Sequence, residues 1–195
     1  MTISQKDMKF LKANDNVTQG DIELAKKIDK GDLHTATDEN LLRIRHLIRE
    51  VGRELHSMKG FVRFKHAGKK LKYGYMKPEH EIGSMISGWF ANRFPGVVIV
   101  LGNKKESWVS IRIDEGVEYV EGGDLKSTVR ELAEMLGVEE VKDFEDLWEK
   151  YYKSQYAEER KNIELFKKNM PTKYRNRAQN ITENRFHERT LDKLD

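Results

Sequence analysis

The chain has 195 residues, no cysteine, and 36 lysines and arginines against 33 aspartates and glutamates, giving a net charge of +3. Such a length supports one sizeable hydrophobic core, with or without an appendage. The lack of cysteine excludes a disulfide framework, a thiolate zinc site, a cysteine nucleophile and a cysteine-held iron–sulfur cluster.

The charge is unevenly spread. Residues 56–93 carry eight basic against two acidic side chains, residues 106–149 carry four against fourteen, and residues 150–195 carry twelve against seven. Two basic blocks therefore flank an acidic one. Basic blocks that meet in space attract polyanions, whereas the acidic block faces solvent or a basic partner. No apolar run is long enough to span a bilayer, and MTISQKDMKF lacks the apolar stretch of a secretion signal. The expectation is a cytoplasmic protein without membrane contact.

In chain order, residues 5–14 and 20–29 predict two short helices, and GDLHTATDEN a loop in which Thr37 or Asp38 caps the next helix. Over residues 40–58, Leu41, Ile44, Leu47, Ile48, Val51, Leu55 and Met58 recur at helical spacing and define a core-facing stripe. Arg45, Arg49, Arg53, His46 and His56 fall on another face, a basic ridge that is either solvated or turned toward phosphates. Gly60 is expected to end this helix. FVRFKHA and KLKYGYM alternate around AGKK as a hairpin, with Leu71, Tyr73 and Tyr75 on one face. Pro78 is expected to open a helix carrying Ile82, Met85, Ile86, Trp89, Phe90 and Phe94.

VVIVL, SWVSIRI and VEYVE predict three further strands in a meander. The uniformly apolar VVIVL belongs in the middle of the sheet. A helix is expected over 124–136 and another from about Asp143, where Phe144, Leu147, Trp148, Tyr151 and Tyr152 make either a core stripe or a stacking platform for bases. The expected fold class is α+β. It has a mainly antiparallel sheet of about five strands covered by helices, with residues 1–38 as an N-terminal helical extension and 39–195 as a single domain.

Searches for specific chemistry give little. The chain has no phosphate-binding GxxxxGK[ST] loop, GxGxxG, GxSxG elbow or HExxH helix. No metal site or cofactor is expected. Glu79-His80-Glu81 places acid beside imidazole, but acidic residues after a proline also suit a helix N-terminus. Glu54 and His56, two apart on a helix, do not face each other. Glu54, His56, Arg63 and His80 are the candidate catalytic residues. Arg45, Arg49, Arg63, Arg160, Lys161 and Arg175 are the candidate phosphate-binding cations.

Several motifs together resemble a known family. EVGRELHSMKGFVRF (50–64) is similar to that family's Glu-x-His-x-Met segment running into Gly-Phe-Val-Arg-Phe. PEH (78–80), WFANRF (89–94), LWEKYY (147–152), EERKN (158–162), MPTKY (170–174) and TE (182–183) follow in order. The family is a prokaryotic domain of unknown function described in connection with DNA metabolism. Its members are associated with a radical-SAM DNA modification or repair protein, and some are fused to a uracil-DNA-glycosylase-like domain. This chain departs where VVIVLGNKKES replaces a Trp-x-Ile-x-Asp-x-x-Arg-like strand and turn, and where Arg175 replaces an aromatic residue.

The resemblance implies a nucleic-acid-binding accessory component of a DNA repair or base-modification system, with DNA and a radical-SAM or glycosylase protein as partners. Two alternatives stand beside it. One is a nucleic-acid-processing enzyme using Glu54, His56, Arg63 and His80; the other is a protein-interaction scaffold docking through the acidic block 114–149.

Overall fold

In the computed structural model, residues 3–35, 37–138, 163–169, 174 and 177 are described. They form two compact units, residues 1–59 with 78–82 and residues 60–77 with 83–195.

The first unit is helical. Helix α1 (Gln5–Lys12) is capped by Ser4, whose hydroxyl accepts the Asp7 N–H at 3.0 Å. Helix α2 (Gln19–Ala25) starts with a reciprocal capping box between Thr18 and Asp21. The segment expected to be a loop contains a short helix, α3 (Lys30–Thr35). Asp29 accepts the Gly31 N–H at 3.0 Å just before it, a cap whose helix is too short to announce itself by periodicity. Asp38 caps α4 (Glu39–Phe61), taking the N–H groups of Asn40 and Leu41. The predicted stripe faces inward: Ile44, Leu47 and Ile48 pack with Leu11, Ala25, Ile28 and Leu33. Each buried aliphatic side chain of this kind contributes about 1.5–3 kcal/mol.

The second unit is a five-stranded sheet in sequential order: β1 (Lys65–Ala67), β2 (Leu71–Tyr75), β3 (Val98–Gly102), β4 (Ser107–Ile113) and β5 (Gly116–Gly122). All neighbours pair antiparallel except β2 and β3, which run parallel because their connection includes a helix, α5 (Gly83–Arg93). The β1–β2 turn uses Gly68 at φ 63°, a conformation that favours glycine. Strand β3 is central, and Ile99, Val100 and Leu101 are fully buried.

Side-chain alternation puts a helix on each face. Trp108 and Ser110 point toward α5, where the Ser110 hydroxyl donates to that of Ser87 at 2.9 Å. Ser107 and Val100 point to the other face, against α6 (Leu125–Met135), with Ser107 Oγ 2.9 Å from Thr128 Oγ1. A further helix, α7, spans Ile163–Asn169. The α+β class and the mainly antiparallel five-stranded sheet are as the sequence predicts.

Three boundaries differ. Helix α2 stops at Ala25 rather than at residue 29. Gly60 does not end α4; the helix runs through it to Phe61, and the expected strand FVRFKHA shrinks to Lys65–Ala67. The side chain of Arg63 does the capping instead, donating to the carbonyls of Gly60 at 2.7 Å and Val62 at 3.1 Å. Nor does Pro78 open a helix, since α5 begins at Gly83. The helix expected near Asp143 lies outside the described residues.

Candidate nucleic-acid interface and a polar junction

The displaced start of α5 is explained within the first unit. Glu54, on the buried side of α4 and 2% exposed, accepts the Glu79 N–H at 2.8 Å through Oε1 and the His80 N–H at 3.0 Å through Oε2. A helix opening at Pro78 would first pair the Glu81 and Ile82 N–H groups, and these go instead to the carbonyls of Ala13 at 2.9 Å and His80 at 2.7 Å. His80 is itself buried, with Nδ1 at 3.5 Å from the Asp15 N–H. Buried Asn14 completes the junction. Its amide donates to the Leu47 carbonyl at 3.0 Å and to Glu50 at 3.3 Å, while its Oδ1 accepts the Asn16 N–H at 2.9 Å. Three segments distant in sequence are thus joined by satisfied polar groups, as burial demands. Each Glu54 oxygen already holds a backbone proton donor, so this carboxylate works as an anchor for the 78–80 segment.

The outer side of α4 carries a different arrangement. There α1 and α4 enclose a groove of about 540 Å³, with Phe10, Ile48 and Gly52 among its lining and Lys6, Arg49, Arg53 and His56 around it. A Cβ at Gly52 would sit 3.5 Å from the Phe10 ring, an ordinary van der Waals distance, so the ring packs beside this part of α4. Lys6 Nζ stands 5.5 Å from the centroid of that ring. The single carboxylate in the lining, Asp7, accepts the Ser4 hydroxyl proton at 2.6 Å. Nearby Lys59 is held below the usual lysine range, by burial first and then by repulsion from Lys6. Cations outnumber anions here around an aromatic floor.

The sequence-predicted residues therefore separate. Glu54 and His80 come together, through the His80 backbone, in the junction. His56 stands in the groove with Arg49. Arg45, though on the predicted ridge, is half-buried and already engaged, and His46 pairs with Glu50 at 3.2 Å. Arg63 donates to the Gly60 carbonyl, both within the second unit. Arg160, Lys161 and Arg175 lie outside the described residues. Sequence reading missed Lys6, Phe10 and Gly52; the i, i+4 spacing of Lys6 and Phe10 put them on one face of α1, but nothing local pointed that face at α4. It also missed Arg43, which grips Asp21 through two nitrogens at 3.2 and 3.3 Å and ties α2 to α4. No cluster of three or more metal-ligating side chains occurs among the described residues, and none of their helices is long and apolar enough to cross a membrane.

Fold and site together define an α+β protein with a mostly antiparallel five-stranded sheet and a cation-lined groove on its N-terminal helices. A family model for a domain of unknown function, DUF4130, matches residues 16–183, and the chain belongs to that family. Comparisons with curated proteins and with solved structures gave no match.

Proposed function

We propose that this protein is a nucleic-acid-binding accessory component of a cytoplasmic DNA metabolism system, one of repair or base modification. The observation that carries the reading is the α1–α4 groove, where Lys6, Arg49, Arg53 and His56 surround an aromatic floor. Cations in that arrangement neutralise successive phosphates, and the half-buried Phe10 ring adds an apolar surface for a base. The motif resemblance to proteins of DNA metabolism supports the same direction. Arg160, Lys161 and Arg175, in the second basic block, are further proposed phosphate-binding cations. With no cysteine in this chain, radical-SAM chemistry falls to a partner, a radical-SAM or glycosylase protein.

The test is fluorescence anisotropy of the purified chain with single-stranded, double-stranded and uracil-containing DNA, with RNA as control, across a salt series. The reading predicts DNA binding that weakens steeply with salt. Absence of binding at low salt overturns it and turns attention to a protein partner for the acidic block.

A further inference from the structure

We infer that a second cleft, between β2 and α6 in the sheet unit, is a binding site for a nucleotide, a planar base carrying phosphate. This goes beyond the phosphate groove and uses none of its residues. The cleft has a volume of about 630 Å³, inside the ~300–1,000 Å³ range of small-molecule sites.

One wall is aromatic. Tyr73 and Tyr75 stand two residues apart on β2, so both side chains leave the same face of the sheet, and both are only half-buried. The opposite wall is the apolar side of α6, with Val129 in its middle. A flat, largely apolar ring stacks between surfaces of this kind whatever its hydrogen-bonding edge.

The cations sit together at one end. Lys104, Lys126 and Arg130 are exposed and line the cleft at the β3–β4 turn and the first turns of α6. Asn103 fixes them relative to one another. Its backbone carbonyl accepts the Leu125 N–H at 2.9 Å, and its side chain is fully used by Met76, Lys105 and Glu106. The helix start and the turn therefore form one rigid rim. The acidic groups in the lining are fewer and bear mainly on Arg130. Asp124, the α6 cap, accepts the Ser127 N–H at 3.1 Å and its charge interacts with that of Arg130, while Glu134 lies four residues beyond Arg130 but eight beyond Lys126, about 12 Å along the helix axis from the latter. The site thus has a polarity: phosphate toward Lys104 and Lys126, base between the tyrosines and Val129.

A free nucleotide and a nucleotide within a single strand share this chemistry, and two probes distinguish them. The full chain is titrated into 2-aminopurine 5′-monophosphate and, separately, into a single-stranded oligonucleotide with one internal 2-aminopurine, following fluorescence. Stacking on Tyr73 and Tyr75 predicts quenching. Quenching of the monophosphate assigns the site to free nucleotides; quenching only within the oligonucleotide assigns it to a strand. In either case Lys126→Glu with Arg130→Glu, both surface changes, weakens the response at least tenfold, and Tyr75→Leu abolishes quenching while circular dichroism stays unchanged. Arg49→Glu with Arg53→Glu leaves monophosphate quenching intact even where it abolishes oligonucleotide affinity, so failure of the groove reading is separable from failure of this one. No quenching with either probe, or quenching indifferent to both cleft variants, overturns the inference.

Discussion

Replacing Glu54 tests whether the junction is held by its carboxylate. In Glu54→Ala two backbone N–H groups lose their acceptor. The His80 N–H is buried and bears the full penalty of an unsatisfied donor, about 1–3 kcal/mol, while Glu79 is exposed enough for water to replace part of the loss. Loss of the buried side-chain methylenes adds about 1 kcal/mol. With the partial loss at Glu79 the total is about 2–5 kcal/mol, a large share of a typical domain's stability. Glu54→Gln keeps the shape and one acceptor but presents an amide N–H₂ to the other donor, and is expected to cost about 1–3 kcal/mol. Urea denaturation followed by far-ultraviolet circular dichroism gives the global loss, and amide hydrogen exchange at Glu79 and His80 gives the local one. A Glu54→Ala protein destabilised by less than about 1 kcal/mol, with both amides still protected, would refute the anchoring role.

Gly83→Ala is expected to destabilise the sheet unit by about 2 kcal/mol or more, since the new Cβ would overlap the Trp108 indole and overpacking forces such groups apart. Thermal denaturation measures this, and Trp108→Leu in the same chain should recover part of the loss. His66 is held below the usual histidine value of 6.5 by burial and by the Lys72 ammonium 3.1 Å away. The unfolded chain therefore takes up this proton first, and stability falls as pH drops through 6.5 toward the lower folded value. Replacing His66 by Gln should flatten that part of the stability–pH curve. Burial acts to raise Asp21, but hydrogen bonds from Thr18 and the Arg43 guanidinium override it and hold the carboxyl below 3.8. Its contribution is present above 3.8 and is lost as pH falls through the lower folded value. Arg43→Met should raise the Asp21 pKa, measured by NMR titration, lowering stability at neutral pH and shrinking the part of it that is lost on acidification.

What the sequence made legible was local. The α4 stripe, the Asp38 cap, the AGKK hairpin and the central place of VVIVL all follow from periodicity or turn chemistry within a few residues. The misplaced boundaries have distant causes. Pro78 looked like a helix start because nothing nearby shows that the Ala13 carbonyl, 68 residues before Glu81, takes the Glu81 N–H. Gly60 looked like a terminus because glycine suits the positive φ of a helix end, whereas the capping of the preceding carbonyls by Arg63 depends on how the chain turns after the helix. The groove was half legible. Arg49, Arg53 and His56 share a helix face by arithmetic, but the aromatic floor comes from Phe10 on another helix, and only the packing of α1 beside α4 joins them.

The claim that this groove holds nucleic acid is tested most directly by the salt dependence of DNA binding for the wild type and for Arg49→Ala with Arg53→Ala. Each phosphate neutralised contributes about 0.7 to the slope of log affinity against log salt for a single strand and about 0.9 for a duplex. The account predicts that removing these two cations lowers the slope by about 1.4–1.8 and weakens binding at low salt, with circular dichroism unchanged. An unchanged slope and affinity would contradict it.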